Sequence, residues 1–242
     1  MIQVKDFFKT ANDTFTKLSN PMTLPTGTLG LGCALSSDGT YLAIGHDSSP
    51  YIRIYKRSGD TFTKLSDPAS LPSGTWRSCV FSSDGVYLAT VGNVSPYVIV
   101  YKRSGDTFTK LSDPTALPTS IVSNCAFSPD GIYLALPQEA SPYINIYKRS
   151  GDTFTRLSNP ATLPIGITYG CAFSPDGVYM VMMQDSSPYI IIYKRNGDVF
   201  TKLSDPATLP AGIGRRCSFD GYCDYLATTH NSTPFVTIYK IE

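Results

Sequence analysis

Two histidines occur in the chain, His46 and His230. Beside them in the pattern developed below stand Asp47 and Asp185. Imidazole and carboxylate are the groups that ligate zinc and move protons near neutral pH, so these four are the candidates for a metal or acid–base site. The alternative is a polar lining without chemistry. No nucleophile elbow, phosphate loop or zinc-ligand spacing accompanies them. The motif content therefore predicts no catalytic residue, no metal, no cofactor and no enzyme. Binding character is concentrated elsewhere. Trp76 is the single tryptophan, and Tyr169, Arg77, Arg215 and Arg216 add an aromatic ring and guanidinium forks. Trp, Tyr and Arg are the residue types enriched as interface anchors. Asp47, Glu139 and Asp185 add carboxylates at one equivalent position, so all ten residues form the candidate ligand-binding set.

What must position these residues is an internal repeat. Cys33, Cys79, Cys125, Cys171 and Cys217 follow one another at a constant period of 46 residues. The third copy reads Cys125-Ala-Phe-Ser-Pro-Asp-Gly131, then Ile-Tyr-Leu-Ala135, then Ser141-Pro-Tyr-Ile-Asn-Ile-Tyr-Lys-Arg149, then Asp152-Thr-Phe-Thr-Arg-Leu157. Each copy holds four short segments of strand chemistry separated by Ser-Pro-Asp-Gly and Arg-Ser-Gly-Asp turns, and a link with two prolines leads to the next copy. Four antiparallel strands per unit, five times over, predicts an all-β, five-bladed β-propeller that occupies residues 1–242 as one domain. The five equivalent cysteines should be small buried side chains, reduced and unpaired, with Cys223 partly exposed.

The order of a Ser-Pro-Asp-Gly turn, a Tyr-Leu-Ala strand and an Ile-x-Ile-Tyr-Lys strand resembles the WD-repeat family. Tyr55-Lys56, Tyr101-Lys102, Tyr147-Lys148, Tyr193-Lys194 and Tyr239-Lys240 stand where that family has Trp-Asp, and its Gly-His pair is missing. The resemblance is to a divergent, WD-like unit, and it implies a propeller without that family's His–Asp network. The near-identity of the copies is similar to that of bacterial and phage propellers.

The last copy supplies three strands, around Cys217, Tyr225 and Phe235–Lys240. The fourth is expected from Thr14-Phe15-Thr16-Lys17-Leu18 at the other end, as the outer strand that closes the ring. Ile2–Phe8 is a degraded further copy of the third strand, and Ile2–Asp6 is expected to be displaced or packed on the rim.

Comparing the copies separates uniform turns from two variable segments, one before each repeat cysteine and one after each Tyr-Leu-Ala. Alternating strand direction places both variable segments on one face. Loops on a rigid scaffold commonly carry function, so a non-catalytic recognition module for a protein or surface glycan is the leading expectation, with a viral or phage-associated role fitting the repeats. A multivalent lectin with equivalent sites in every blade, and a structural spacer, are the competing readings. The formal charge of +1 and 16% charged residues speak against a nucleic-acid partner, and no apolar run is long enough for membrane insertion. No secretory signal is read at the start, so a cytoplasmic or virion-associated monomer is expected.

Overall fold

Residues 15–25, 27 and 30–242 are described by a computed structural model. The chain is all-β, with no helix among these residues, and its five blades of antiparallel strands are arranged as a β-propeller. Blade one runs Gly30–Leu35, Tyr41–His46, Ile52–Ser58 and Thr61–Lys64, with spatial order equal to chain order. Blades two to four repeat this plan, and blade three has a first strand of only Ala126–Phe127. Blade five has three strands among the described residues, Gly214–Phe219, Tyr225–His230 and Val236–Lys240.

The closing strand expected at 14–18 is not found on blade five. Residues 15–18 are in no strand and are exposed, while Thr14 and everything before it, including Ile2–Phe8, lie outside the described residues. In blade one the outer strand returns from the third through a two-residue loop, Gly59-Asp60, with Gly59 at φ 57°. That local hairpin holds an outer strand against its partner with little loop-closure cost. Residues 15–18 have no such tether to Val236–Lys240.

Each Ser-x-Asp-Gly turn is a closed hydrogen-bond circuit. In blade one, Ser36 Oγ donates to Asp38 Oδ1 (2.5 Å), Asp38 accepts from the Thr40 N–H (2.9 Å), and the Tyr41 N–H donates back to Ser36 Oγ (2.9 Å). Gly39 takes φ 66°, a left-handed position that a side chain would strain. Blade five departs from this: Asp220 replaces the serine and accepts from the N–H groups of Asp224 (2.8 Å) and Tyr225 (2.9 Å), and Cys223 occupies the left-handed position at φ 63°.

The core lies between blades rather than within one. Tyr41, Ala43, Ile52 and Ile54 of blade one pack with Trp76, Cys79, Phe81, Leu88 and Phe108 of blade two. A polar clamp seals the outer part of the seam. Tyr41 Oη donates to Asp106 Oδ1 (2.7 Å), Lys56 Nζ pairs with Asp106 Oδ2 (2.9 Å), Arg103 lies 4.7 Å over the Tyr41 ring, and Phe108 meets that ring edge-on at 5.7 Å. The same clamp recurs with Tyr87 on Asp152 and with Tyr133 on Asp198. The third-strand tyrosines fasten the links. The hydroxyls of Tyr55, Tyr101, Tyr147, Tyr193 and Tyr239 donate to the carbonyls of Thr23, Ser70, Ala116, Thr162 and Thr208, at 2.9–3.0 Å.

All six cysteines are free, as expected. The thiols of Cys79 and Cys171 reach the carbonyls of Ala43 and Ala135 across a seam, at 3.5 and 3.6 Å. Burial pushes the Cys125 thiol up to about 12, so it stays protonated and unreactive. Cys33 is exposed.

The turn and clamp aspartates make the fold acid-sensitive. The hydrogen bond from Ser36, then that from the Thr40 N–H, lowers Asp38 to about 2. Burial raises Asp84, Asp130 and Asp176, but hydrogen bonds from Ser82, Ser128 and Ser174 and from backbone N–H groups outweigh it and leave all three lowered. A carboxylate lowered in the folded state stabilises it above its unfolded value of about 3.9, and that stabilisation is lost as pH falls through the folded value. The urea midpoint should therefore be flat from about pH 7 to about pH 5 in these groups' contribution and fall steadily below about pH 4. A midpoint unchanged down to about pH 2.5 would contradict this assignment.

Candidate functional site

The first strands of the five blades border an open cavity of about 440 Å³, lined by Leu31, Thr75, Arg77, Ser123, Tyr169, Arg215 and Arg216. Every blade contributes, and all seven residues come from the variable segment before the repeat cysteine. Four sequence-predicted residues, Arg77, Tyr169, Arg215 and Arg216, are thus brought together. Arg215 stacks 4.6 Å over the Tyr169 ring, and Arg216 Nη1 donates to the Tyr169 carbonyl at 2.6 Å. These contacts orient two guanidinium groups from blade five across the cavity, where a planar fork suits a carboxylate or phosphate. On another wall, Arg77 pairs with Glu139 Oε1 at 3.2 Å and reaches Ser123 Oγ at 3.3 Å. Ser123 Oγ stands 3.4 Å from the same carboxylate oxygen. Ser123 and Thr75 were not singled out by the sequence, although their place before a repeat cysteine is the signal that could have found them.

The remaining predicted residues lie elsewhere. His46 and His230 are buried inside their own blades, each at the end of a second strand. His230 Nε2 stands 3.1 Å from Thr237 Oγ1, and the His46 N–H donates to the Tyr51 carbonyl at 3.0 Å. They do not meet each other at the cavity. Asp47 and Asp185 lie against the glycines of the preceding links, Gly27 and Gly166, where a β-carbon would collide with them. Among the described residues no group of three His, Cys, Asp or Glu side chains could hold a metal ion.

Trp76 is fully buried, and its indole N–H donates to the Ser73 carbonyl at 2.8 Å. Its ring fills space left by its cross-strand partner. Trp76 faces Gly92, and a β-carbon on Gly92 would stand 2.6 Å from the Thr75 carbonyl oxygen and 3.0 Å from Trp76 Cδ2. The equivalent pairs in the other blades are Gly30 with His46, Val122 with Gln138, Thr168 with Gln184, and Gly214 with His230. A bulky residue on one strand therefore stands opposite glycine on the other in three of the five blades. Only at Gly92 does the facing side chain close over the glycine; a β-carbon on Gly30 would meet nothing within 4 Å, and one on Gly214 would meet Tyr189 and Met183 of blade four, so shared volume accounts for the tryptophan and not for the histidines.

No protein-family model matches the chain, and no curated protein matches it. Its fold is similar to solved structures. A protein from Lactobacillus plantarum aligns at a TM-score of 0.71 and 18% identity, over 91% of this chain and 69% of that one. A candidate 6-phosphogluconolactonase from Bacteroides uniformis aligns at 0.67 and 17%, over 85% and 65%. The periplasmic gluconolactonase of Pseudomonas aeruginosa aligns at 0.63 and 15%, over 87% and 68%. The chain spans about two thirds of the length of these structures. The propeller implied by the WD-repeat resemblance is present. The expectation of a non-catalytic recognition module, and of no enzyme, is corrected: propellers of this shape include proteins named as lactonases, so missing nucleophile and zinc motifs do not exclude chemistry on this scaffold.

The Trp76–Gly92 pair is directly testable. Gly92→Gln, the residue of blades three and four, should destabilise the protein by about 1–3 kcal/mol through overpacking. Adding Trp76→Val recreates the Val122–Gln138 pair and should recover part of that loss, the rest being the contact of the new β-carbon with the Thr75 carbonyl, read by urea unfolding of the four members of a double-mutant cycle. Additive effects would show that the two positions do not share one volume.

Proposed function

We propose that the chain is a hydrolase of small anionic lactones that acts at the central cavity. The observation that carries this reading is the convergence of Arg77, Arg215 and Arg216 on one open cavity, with a carboxylate, Glu139, paired to Arg77 and 3.4 Å from Ser123 Oγ, two of the residues that line it. The names of two similar propellers supply the reaction class. Arg215 and Arg216 would hold the substrate's phosphate or carboxylate, since forked donors on a fixed ring match planar oxyanions. Glu139 would take a proton from water as its oxygen attacks the lactone carbonyl, and Arg77 would face the developing oxyanion. The ring C–O bond then breaks, the alkoxide regains a proton, and the product is the open-chain hydroxy acid.

The test is hydrolysis of glucono-1,5-lactone and its 6-phosphate, followed by acid release against the spontaneous rate. Catalysis should be greater on the phosphorylated substrate. Glu139→Gln should lower kcat by about 10²–10⁴-fold, the range of a lost general base. Arg216→Ala should mainly raise KM for the phosphorylated lactone. A wild-type chain that accelerates neither lactone overturns the reading.

A further inference from the structure

The two ends of the wheel carry the unmated halves of its own seam. On blade five, Tyr225, Val236 and Ile238 are 49%, 43% and 65% exposed. Their equivalents in blade three, Tyr133, Ile144 and Ile146, are buried against blade four. On blade one, Leu35 is 57% exposed and Cys33 is exposed, while the equivalents Phe81 and Cys79 of blade two are buried against blade one. The clamp is equally divided. Lys240 and Tyr225 repeat Lys148 and Tyr133, whereas Asp60 and Phe62 on blade one repeat Asp198 and Phe200.

Two further places show a blade expected but not filled. Where blade four holds Phe200 between Tyr133 and Phe173, blade five has a groove of about 280 Å³ bordered by Tyr179, Ile192, Phe219 and Tyr239. Residues 19–23 run along the outer strand of blade one just as residues 66–70 run along that of blade two, and Tyr55 grips the carbonyl of Thr23 as Tyr101 grips that of Ser70. The chain thus enters blade one along the same path as it enters blade two, and the residues before that path, Phe15–Leu18, which repeat the sequence of an outer strand, are exposed and paired with no strand among the described residues.

We propose that the gap between blade five and blade one is a docking site for a two-blade segment of this same repeat. The chemistry of the occupant follows from continuity with the existing seams. It must bring an Asp-Thr-Phe outer strand to the groove on blade five, an aspartate and a phenylalanine to Tyr225 and Lys240, and a Tyr-x-Ala strand to Leu35 and Cys33. Its size follows from the similar structures, which extend beyond the match by about a third of their length, close to two units of this period. Phe15–Leu18 would then pair with the occupant's last blade.

The experiment compares the natural chain with one in which a second copy of Arg149–Lys240 follows Lys240. Cys33 alkylation is read by peptide mapping, together with thermal unfolding and sedimentation. In the natural chain Cys33 should react rapidly at every protein concentration. In the extended chain it should be protected about 100-fold or more, as a seam thiol is, and the unfolding temperature should rise. Asp60→Lys in the extended chain should restore reactivity at Cys33. Protection in the natural chain at all concentrations would mean that blade one closes on blade five of the same molecule. Protection only at high concentration would mean a second copy as occupant. Either result overturns the proposal, as does an extended chain that is insoluble, less stable or still reactive at Cys33. None of these readouts depends on lactone hydrolysis, so the two proposals fail separately.

Discussion

Three of the seams between consecutive blades are set by one contact, the tyrosine of a second strand reaching across to the next blade's outer turn. Its ring is sandwiched by an arginine and a phenylalanine, and its hydroxyl shares an aspartate with a lysine from the neighbouring strand. Lys56 and Asp106 are too exposed to contribute much as a pair. They act by fixing the angle at which two apolar faces meet, and those faces supply the stability. Stability of this kind is a sum over seams, as in any repeat array, so a blade without a neighbour has lost one of its two cores.

The repeat made most of this legible in advance. A period of 46 with two glycine turns leaves little choice of fold, and strand register follows from where those turns fall. Other features could not be read. Five X-Pro bonds are cis, and each is followed by an aromatic residue with φ near 65°, from Tyr51 to Phe235. Local sequence marks that loop as a turn without fixing its geometry. The closing strand at 14–18 was inferred from counting strands, and counting cannot tell which blade stands next to blade one.

The candidate site was half legible for a specific reason. Variation between copies identifies positions released from the common scaffold, but it does not say what released them. At Arg77, Tyr169, Arg215 and Arg216 the side chains face a cavity. Trp76 instead faces Gly92 on the adjacent strand of its own blade, and His46 and His230 are buried within theirs. Sequence alone cannot separate these cases, because cavity-facing and partner-facing residues alternate along one short strand.

The cross-strand exchange has a consequence for how such a chain can change over time. The clamp residues that join blades one to four are alike, whereas the residues that differ are matched partly inside a blade, as Trp76 with Gly92, and partly across blades, as Arg77 with Glu139 and Arg216 with Tyr169. Copying, deleting or moving a whole blade thus keeps pairs such as Trp76 with Gly92 together but parts cross-blade pairs such as Arg77 with Glu139. A crossover that falls between a first and a second strand would instead set Trp76 against a histidine or a glutamine, or leave glycine facing glycine. Breakpoints in the links therefore spare the blade interiors, while the cavity wall, shared between blades, is reset by every such edit.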